Sequence, residues 1–424
     1  MNEGDLLPRA EYVSASVLCF IIVASAVLPS IGYSDLLLTA VTSTVSASTT
    51  TLTSQTGLNQ TQEPCTVMHP DPTTLREWIR QYNASALAAV QPGTVTPTGG
   101  TSFNLLSHLQ YTASERDQGD AGNCWVWAGT GVLEIALDIQ RGIKDRLSIQ
   151  YFDSSYNGGT TTTWGKWAGC GGWLTDFATF YNTQKMVIPW SNTNAYYQDS
   201  LRSCESGGTS VSASSISTSP NYPIVTCVAN TIPTQGVGQS AAIANIKNIL
   251  QNKAVWFTFF LADSSDWYNF KTTFWKNKGE GASWSPDFSN GHIYNHNPNE
   301  GGGHSVLCVG WDDTDPNNSY WIMVNSWGNA SGGRPNGIFH LSMSINYDCK
   351  LPGLAGQNDD YSLYWQTLDV SFPAQYNVHL ESREDDAASS NKGTINSYSL
   401  PTTILKTAGS YSATYSPEAG YWFV

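Results

Sequence analysis

The chain has 424 residues, enough for two or three domains and a sizeable core. Only 13% of the residues are charged, and the formal net charge is −14. This acidic balance, which no basic cluster interrupts, argues against nucleic acid and anionic membrane surfaces as partners.

The N-terminal residues predict export. Val13–Leu28 is an uncharged apolar run, short for a membrane span and typical of a signal peptide, with Ala24 and Ala26 as cleavage-site residues. Acidic residues outnumber Arg9 ahead of this run, so a retained membrane anchor stays open as the alternative. We therefore expect residues 1–33 to be a signal peptide or anchor, and the protein to be secreted or held at the extracellular cell surface.

A linker and an amphipathic helix are predicted next. Residues 34–63 are rich in Ser and Thr and lack the apolar residues of a core. In the following segment, 64–99, residues 73–86 show apolar side chains at helical spacing. The apolar face consists of Leu75, Trp78, Ile79, Tyr82 and Ala86. This face must pack on another surface, either as a short prosegment or as a helix on the back of the main domain.

Residues 100–372 predict one dense α+β domain of two lobes. Its first helix, Cys124–Arg141, is apolar nearly all round and precedes Gly142, a residue that commonly ends helices. The polar stripe of this helix consists of Thr130, Glu134, Asp138 and Arg141. From residue 304 the pattern changes to strands in HSVLCVGW, YWIMVNSW and GIFHLSM. Residues 373–424 predict a small β module, and its apolar last strand is consistent with truncation from a longer protein.

The stretch DQGDAGNCWVWAG, residues 117–129, leaves two alternatives for Cys124: a buried thiol, or a nucleophile at a helix start. A helix N-terminus favours the thiolate. Nucleophilic catalysis also needs a base, a group that orients the base, and an oxyanion donor. The sequence supplies one candidate for each role, namely His304 after a glycine loop, Asn325 at the end of the next strand, and Gln118 ahead of the cysteine.

Six segments in order, QGDAGNCW, LSIQYFD, GCGGW, GGHSVLCVGW, YWIMVNSWG and NGIFHL, resemble the papain-like cysteine peptidases over roughly residues 104–370. The resemblance implies a papain-like two-lobed fold, with a helical lobe, a β-barrel-like lobe and a cleft between them. It implies that Cys124 is the nucleophile and that His304 is its base and acid. Asn325 would orient the histidine, and Gln118 would donate to the oxyanion.

The same resemblance implies residues that contact substrate. Trp327 would shield the bond between the asparagine and the histidine, and Gly171 and Gly172 would present backbone to an extended polypeptide. Gly303, in the glycine loop before the histidine, would let the substrate backbone approach closely. We expect polypeptide substrates, a monomer, and no metal or cofactor.

The cysteines leave the disulfide pattern open. The chain has eight cysteines. Cys19 lies in the apolar run and Cys124 is the candidate nucleophile, so six cysteines remain, and six allow 15 pairings. Cys204 and Cys227 bracket a Ser/Gly-rich loop and are the preferred pair, while Cys308 is expected to be a buried free thiol. Cys65, Cys170 and Cys349 are left unassigned.

The resemblance bears on the cysteines as well. Ala121 and Ser154 stand where the family usually has half-cystines. Cys170 and Cys204 therefore lose their usual partners.

Two clusters of polar residues contain possible metal ligands, but neither is predicted to bind a metal. His292 and His296 fall in a loop pattern, and His304 already has a catalytic role, so a metal site is not expected. The alternating polar residues from Asp313 to Ser319 resemble a calcium loop but lack its glycine and its final glutamate. A plain hairpin turn is the favoured interpretation.

The leading functional hypothesis is a secreted or surface cysteine endopeptidase that hydrolyses peptide bonds through a thioester. The alternatives are a catalytically inactive papain-like surface or adhesion protein that binds through its β module, and a thiol acyltransferase such as a transpeptidase. The complete catalytic set favours an enzyme. For an enzyme we expect Cys124 and His304 to rest as thiolate and imidazolium.

Overall fold

A computed structural model describes residues 67–90, 101–160, 167–289 and 291–373, together with the backbone of two short strands near the C-terminus. The expectations for residues 1–33 and 34–63 lie outside the described residues, as does most of the C-terminal β module. Within the described ranges, no helix is both long enough and apolar enough to cross a membrane.

The described part of the chain contains six α-helices. They are α1 (Pro72–Ala84), α2 (Cys124–Arg141), α3 (Ile149–Ser155), α4 (Leu174–Gln184), α5 (Gln239–Leu250) and α6 (Ser264–Tyr268). A π-helical turn, Asn269–Lys276, follows α6 directly. Both predicted helices are confirmed: α1 buries Leu75, Trp78 and Tyr82, and α2 ends at Gly142, whose φ of 65° is left-handed.

Helix α1 begins where local chemistry places it. The Asp71 side chain accepts hydrogen bonds from the backbone N–H groups of Thr73 and Thr74, and Pro72 occupies the first helical position. An aspartate cap satisfies amides that have no partner within the helix, and proline lacks the N–H that would otherwise need one. The helix therefore begins one residue earlier than the apolar spacing predicts.

Fourteen strands are present in the described residues. They are β1 (Ser102–Asn104), β2 (Met186–Val187), β3 (Tyr222–Pro223), β4 (Thr226–Thr231), β5 (Val255–Leu261), β6 (Ser283–Trp284), β7 (Gly302–Asp312), β8 (Tyr320–Val324), β9 (Ile338–Ser342), β10 (Lys350–Leu351), β11 (Asp360–Tyr361), β12 (Leu363–Ser371), β13 (Thr414–Ser416) and β14 (Tyr421–Phe423). The three strands predicted after residue 304 are confirmed as β7, β8 and β9.

One large sheet carries most of these strands. Its order is β4-β12-β5-β7-β8-β9-β6, and β1 pairs with β7. Neighbours are antiparallel except β6 and β9. The α+β class is confirmed, and within the described residues this sheet does not close into a barrel. The turn between β7 and β8 is the predicted hairpin, with Asp312 opposite Tyr320.

Helix α2 packs closely on β7. A Cβ added at Gly131 would lie 2.5 Å from Leu307 Cδ2, so this position has no room for a larger side chain. The indole N–H of Trp256 on β5 donates to the carbonyl of Trp125 at 3.3 Å. These contacts bring the start of α2 against the first half of β7.

Part of the predicted polar stripe on α2 is buried. Thr130 is 0% exposed and Glu134 is 5% exposed. The Glu134 carboxylate lies 3.7 Å from the guanidinium of Arg116 and accepts the backbone N–H of Leu147. Burial raises the pKa of Glu134 to about 7. The polar stripe therefore includes residues that lie in the interior of the domain as well as residues at its surface.

The preferred disulfide is wrong. Cys170 is bonded to Cys204, whereas Cys227 is a buried free thiol on β4, opposite Val370 of β12. The two cysteines that lack their usual partners have thus paired with each other. Cys308 is a buried free thiol, as predicted.

A hydrogen-bond network surrounds the second altered half-cystine position. The Ser154 hydroxyl lies 3.1 Å from Gln150 Nε2 and 3.2 Å from Thr209 Oγ1. The Asp199 carboxylate accepts hydrogen bonds from the same glutamine and threonine side chains. Ser154 thus has polar partners where the family pattern would place a disulfide sulfur.

Candidate active site

Cys124 is the first residue of α2 and is 0% exposed. Its Sγ accepts the backbone N–H of Ser305 on β7 at 3.3 Å. The carbonyl of Asn123, just before the helix, accepts the backbone N–H of Val126 at 2.9 Å. The thiol therefore lies at a helix start and next to the residue that follows His304.

His304 is held from one side by an asparagine. Its Nε2 lies 2.7 Å from Asn325 Oδ1, and that oxygen also accepts the backbone N–H of Ser326 at 2.8 Å. The backbone of Asn325 is tied to the carbonyl of Gly337 at 2.9 Å. His304 Nδ1 is buried and makes no hydrogen bond to any described residue. The ring thus has one anchored nitrogen and one uncommitted nitrogen.

Aromatic rings exclude water from this histidine. Trp327 stacks on the imidazole with ring centroids 4.3 Å apart and an angle of 25°. Phe259 meets the ring edge-on at 5.8 Å, and Phe270 lies 6.5 Å away. The shielding expected of Trp327 matches this stacking, because the indole covers the ring that bonds Asn325.

Gln118 lies beside the same group of residues. Its Nε2 donates to the carbonyl of Ala121 at 2.6 Å, and its Oε1 accepts the hydroxyl of Ser326 at 2.6 Å. The backbone N–H of Gln118 also donates to the carbonyl of Ser326 at 2.9 Å. The carboxamide is thereby fixed between the loop before α2 and the segment after β8.

The three predicted substrate-contacting glycines have different surroundings. A Cβ at Gly172 would lie 2.3 Å from Trp125, and one at Gly303 would lie 2.5 Å from Phe260, so both face packed rings. Gly171 has a φ of 102°. A Cβ there would lie 3.1 Å from the side chain of Met68. Residues ahead of the main domain therefore lie over the site.

The segment Val67–His69, which we call the covering segment, lies along β7. Met68 and Gly303 exchange both backbone hydrogen bonds, each 2.8 Å long. His69 Nδ1 lies 2.7 Å from the carbonyl of Gly301. A Cβ at Gly122 would lie 3.3 Å from the carbonyl oxygen of Val67. The covering segment thus spans from the loop before α2 to the glycine loop before His304.

Helix α1 continues from the covering segment and packs on aromatic residues of the domain. Trp78 stacks on Trp173 with centroids 5.7 Å apart, and Tyr82 meets Tyr364 edge-on at 4.9 Å. Beyond the helix, the carbonyl of Thr231 on the edge strand β4 accepts the N–H of residue 88. Residues 67–90 therefore form one continuous element attached to the domain at three places.

Burial sets the ionisation of the candidate pair. It raises the pKa of the Cys124 thiol to about 12, although the Ser305 N–H opposes this shift. It lowers the pKa of His304 to about 3, opposed by the hydrogen bond that the ring donates to Asn325 Oδ1 and reinforced by the charge of Lys271. Burial thus favours the neutral form of both groups, the opposite of the predicted thiolate and imidazolium pair.

The three histidines considered for a metal are not grouped together. His292 Nδ1 lies 2.8 Å from Asp263 and 3.5 Å from Asp266. His296 Nε2 lies 2.9 Å from the carbonyl of Gly353, and His304 belongs to the site above. Among the described residues, Asp263, Asp266 and His292 form the sole group of three with metal-ligand atoms within 4.8 Å of one another.

Sequence analysis missed several residues that shape the site. Ser305 supplies the N–H on the thiol, and Ser326 holds Gln118, yet an isolated serine gives no pattern to notice. Met68 stands just ahead of a predicted amphipathic helix, which is the one signal that could have pointed to a bound N-terminal segment. Its place over Gly171 depends on the path of the chain in three dimensions.

A sequence model described as papain family cysteine protease matches residues 281–355, a range that contains His304 and Asn325. Residues 281–355 are papain-like in sequence. The resemblance drawn from the six motifs is thereby confirmed, although the matched range does not include Cys124. No curated protein matches the chain.

Solved papain-like structures are also similar to it. The bromelain protease from Ananas comosus, in complex with the E64 inhibitor, is 16% identical, with 63% of this chain and 97% of that chain covered and a TM-score of 0.40. Digestive procathepsin L 3 of Tenebrio molitor is 19% identical, with 69% and 78% covered and a TM-score of 0.41. The proform of the ragweed pollen allergen Amb a 11 is 15% identical, with 72% and 76% covered and a TM-score of 0.45.

Proposed function

We propose that this chain is a cysteine endopeptidase that hydrolyses polypeptides through a thioester on Cys124. One observation carries the proposal: the thiol at a helix start is bonded to Ser305, while the adjacent His304 has one nitrogen held by Asn325 and the other uncommitted. Cysteine acyl transfer needs a nucleophile, a base and a group that orients the base, and these three residues supply one of each.

The chemistry follows from these positions. His304 Nδ1 takes the thiol proton, and Sγ attacks the substrate carbonyl carbon. The oxyanion accepts hydrogen bonds from the Cys124 backbone N–H at the helix start and from the Gln118 carboxamide. The imidazolium then protonates the leaving amine, and a water molecule, deprotonated by the histidine, hydrolyses the thioester. Asn325 keeps the ring oriented throughout.

Residues 67–90 act as a prosegment in this proposal. The covering segment forms backbone hydrogen bonds with Gly303, and its Met68 side chain lies against Gly171. These are two of the glycines expected to bind substrate backbone, so the segment and a substrate cannot be bound together. The neutral thiol and imidazole of the covered site are a second reason for latency, because the thiolate is the nucleophile.

The proposed setting is the cell exterior. The Cys170–Cys204 disulfide supports it, because such bonds persist in oxidising compartments. The apolar N-terminal run and the low content of charged residues are consistent with a secreted or surface protein.

Labelling by an epoxide thiol inhibitor, together with casein cleavage, tests the proposal. The experiment uses the full chain with Trp78→Ala, a change that loosens the prosegment. Labelling and cleavage are compared between this protein and the same protein with Cys124→Ala added. Cys308→Ala is the matched control, because Cys308 is also a buried free thiol. We expect one inhibitor per chain and casein cleavage in all but the Cys124→Ala protein.

Cleavage by the Cys124→Ala protein at the parent rate would contradict the mechanism. Product masses separate hydrolysis from acyl transfer, because only hydrolysis adds one water to each cleaved bond. Absence of both labelling and cleavage in every variant would favour the inactive adhesion protein.

A further inference from the structure

Residue 101 is held by a buried ion pair where the main domain begins. The backbone N–H of Thr101 donates to Asp313 Oδ1 at 2.7 Å, and the Thr101 hydroxyl donates to the same oxygen at 3.1 Å. The ammonium of Lys247 bonds the other oxygen, Oδ2. The side chain of Lys247 is 2% exposed and that of Asp313 is 11% exposed. The Asp313 carboxylate thus bonds a buried cation through one oxygen and a backbone amide through the other.

The remaining polar groups of Thr101 are also bound. Its carbonyl accepts the backbone N–H of Asp313 at 2.9 Å, and its hydroxyl accepts the indole N–H of Trp311 at 3.1 Å. Strand β1 starts at the next residue, where Ser102 pairs with Asp312. The neighbouring Asp312 carboxylate accepts the backbone N–H and hydroxyl of Thr314 instead. Asp313 is therefore the carboxylate that meets the Thr101 nitrogen.

We propose that Asp313 is the receptor for the α-ammonium of a mature chain that begins at Thr101. The proposal rests on the proposed function in one respect, that residues 67–90 are a prosegment that is removed. Hydrolysis of the Gly100–Thr101 peptide bond consumes one water, leaves a carboxylate on Gly100 and converts the Thr101 amide into an ammonium. That nitrogen already lies 2.7 Å from Oδ1, so a hydrogen bond from a neutral amide to the carboxylate becomes an ammonium–carboxylate ion pair without a change of position.

The sequence ahead of Thr101 is consistent with such a cut. Residues 91–100 read QPGTVTPTGG, with three glycines, two prolines and no charged residue. This composition is typical of linkers, where proteolytic nicking concentrates. A chain that began one residue earlier or later would place its ammonium away from the oxygen that Thr101 now bonds.

A cut made at a defined bond tests the receptor. In the full chain carrying Cys124→Ala, the changes Pro97→Ile, Thr98→Glu and Gly100→Arg create the site Ile-Glu-Gly-Arg, and factor Xa then cleaves before Thr101. The melting temperature is measured for cut and uncut chains, with Asp313 and with Asp313→Asn. We expect the cut-minus-uncut difference to be more positive with Asp313, by about 2–4 °C. Asp315→Asn, an exposed carboxylate of the same turn, is the control and should leave the difference unchanged.

The pH dependence gives a second readout. An ammonium beside a carboxylate has a pKa above its ordinary value of about 8, so its stabilisation is present at pH 7 and is lost as the pH rises through that raised pKa. Acetylation of the new α-amine should remove the Asp313-dependent gain at pH 7, and it serves as the test if Asp313→Asn does not fold. Equal cut-minus-uncut differences in the two backgrounds, or no loss on acetylation, would overturn the proposal.

Failure here is distinguishable from failure of the proposed function. Every protein in this test carries Cys124→Ala, so the result does not depend on peptidase activity. An inactive protein could still show the receptor, and an active one could lack it.

Discussion

Met68 and Gly303 form a reciprocal pair of backbone hydrogen bonds, each 2.8 Å long, next to His304 in the chain. Because Gly303 has no side chain, the covering segment approaches the histidine as closely as one strand approaches another. In the proposed mechanism a substrate backbone would occupy this same edge. The candidate catalytic residues are therefore assembled and covered in the same structure.

Loosening α1 is expected to uncover the thiol. Trp78 is 5% exposed and stacks on Trp173, so Trp78→Ala removes a large buried contact of α1. Truncation of a buried tryptophan costs about 3–5 kcal/mol, part of which will be lost from docking. We expect the alkylation rate of Cys124 in the full chain to rise at least about tenfold, a rise that needs about 1.4 kcal/mol of lost docking energy.

The matched control for this change is Glu77→Gln, on the exposed face of the same helix, where Glu77 bonds Arg80 and Gln81. Its alkylation rate should equal that of the parent. Equal rates in Trp78→Ala and the parent would mean that α1 does not hold the covering segment in place.

The pH profile of alkylation should differ between covered and uncovered chains. In the full chain, burial raises the pKa of Cys124 to about 12, so alkylation should increase only in strong alkali. In the Trp78→Ala variant the thiol is solvated and has an imidazole nearby. The alkylation rate should then rise at a pH below the free-cysteine pKa of about 8.5. Adding His304→Ala should move the pH of this rise back towards the free-cysteine pKa. The Cys124→Ala variant supplies the background from other thiols, and a profile that ignores His304 would exclude an ion pair.

Acid is expected to weaken docking of the covering segment. Burial lowers the pKa of His69 to about 4, opposed by its bond to Gly301 and reinforced by the charge of Lys271. A base whose pKa is lowered by docking stabilises the docked state above its ordinary pKa of 6.5, and this contribution is lost as the pH falls towards 4. Docking should therefore weaken by up to about a hundredfold over that interval.

Hydrogen exchange of the α1 amides at pH 7 and pH 4, corrected for intrinsic rates, measures this effect. His69→Gln keeps a donor for the Gly301 carbonyl but cannot ionise, so it should lose less protection in acid than the parent. Some loss should remain, because burial also lowers the pKa of His304, to about 3. Identical acid sensitivity in the parent and in His69→Gln would remove His69 from this role.

Gln118 should matter for turnover more than for thiol labelling. In a chain uncovered by Trp78→Ala, Gln118→Ala is expected to lower kcat by about 10²–10³ and to leave inhibitor labelling intact, because the amide acts after attack. Ser326→Ala is the matched control, since it removes the hydroxyl on Gln118 Oε1 and spares the N–H donor. Its loss should be only about five- to tenfold. Parallel loss of labelling and turnover in Gln118→Ala would make the residue structural.

The disulfide should stabilise the chain by closing a long loop. Its cysteines are separated by 34 positions in the chain, so Cys204→Ser is expected to lower the free energy of unfolding by about 3–4 kcal/mol. Urea titration without reductant measures the change. Reductant should lower the midpoint of the parent and of Cys227→Ala but not that of Cys204→Ser. A Cys227→Ala protein insensitive to reductant would restore the pairing first preferred from the sequence.

Local patterns in the sequence were enough to identify α1, α2 and strands β7 to β9. Their apolar periodicity and their ending residues act within a few positions of the chain, as Gly142 does at the end of α2. The order of the motifs was likewise enough to name Cys124, His304, Asn325 and Gln118 as one candidate set. Strand β5 was missed because its nearly continuous apolar run lacks the alternation that marks a half-exposed strand. Strand β12 was missed because Gln366 and Thr367, although buried, interrupt its apolar pattern.

Only the tertiary structure decided which cysteines pair, what covers the thiol and which charges exist there. Cys170 and Cys204 meet because two chain segments fold side by side, a relation that spacing alone cannot express. Burial in the folded chain favours the neutral forms of Cys124 and His304, which are themselves far apart in the sequence. A sequence records which groups can ionise, whereas the water around each group, and hence its charge, is set by what folds over it.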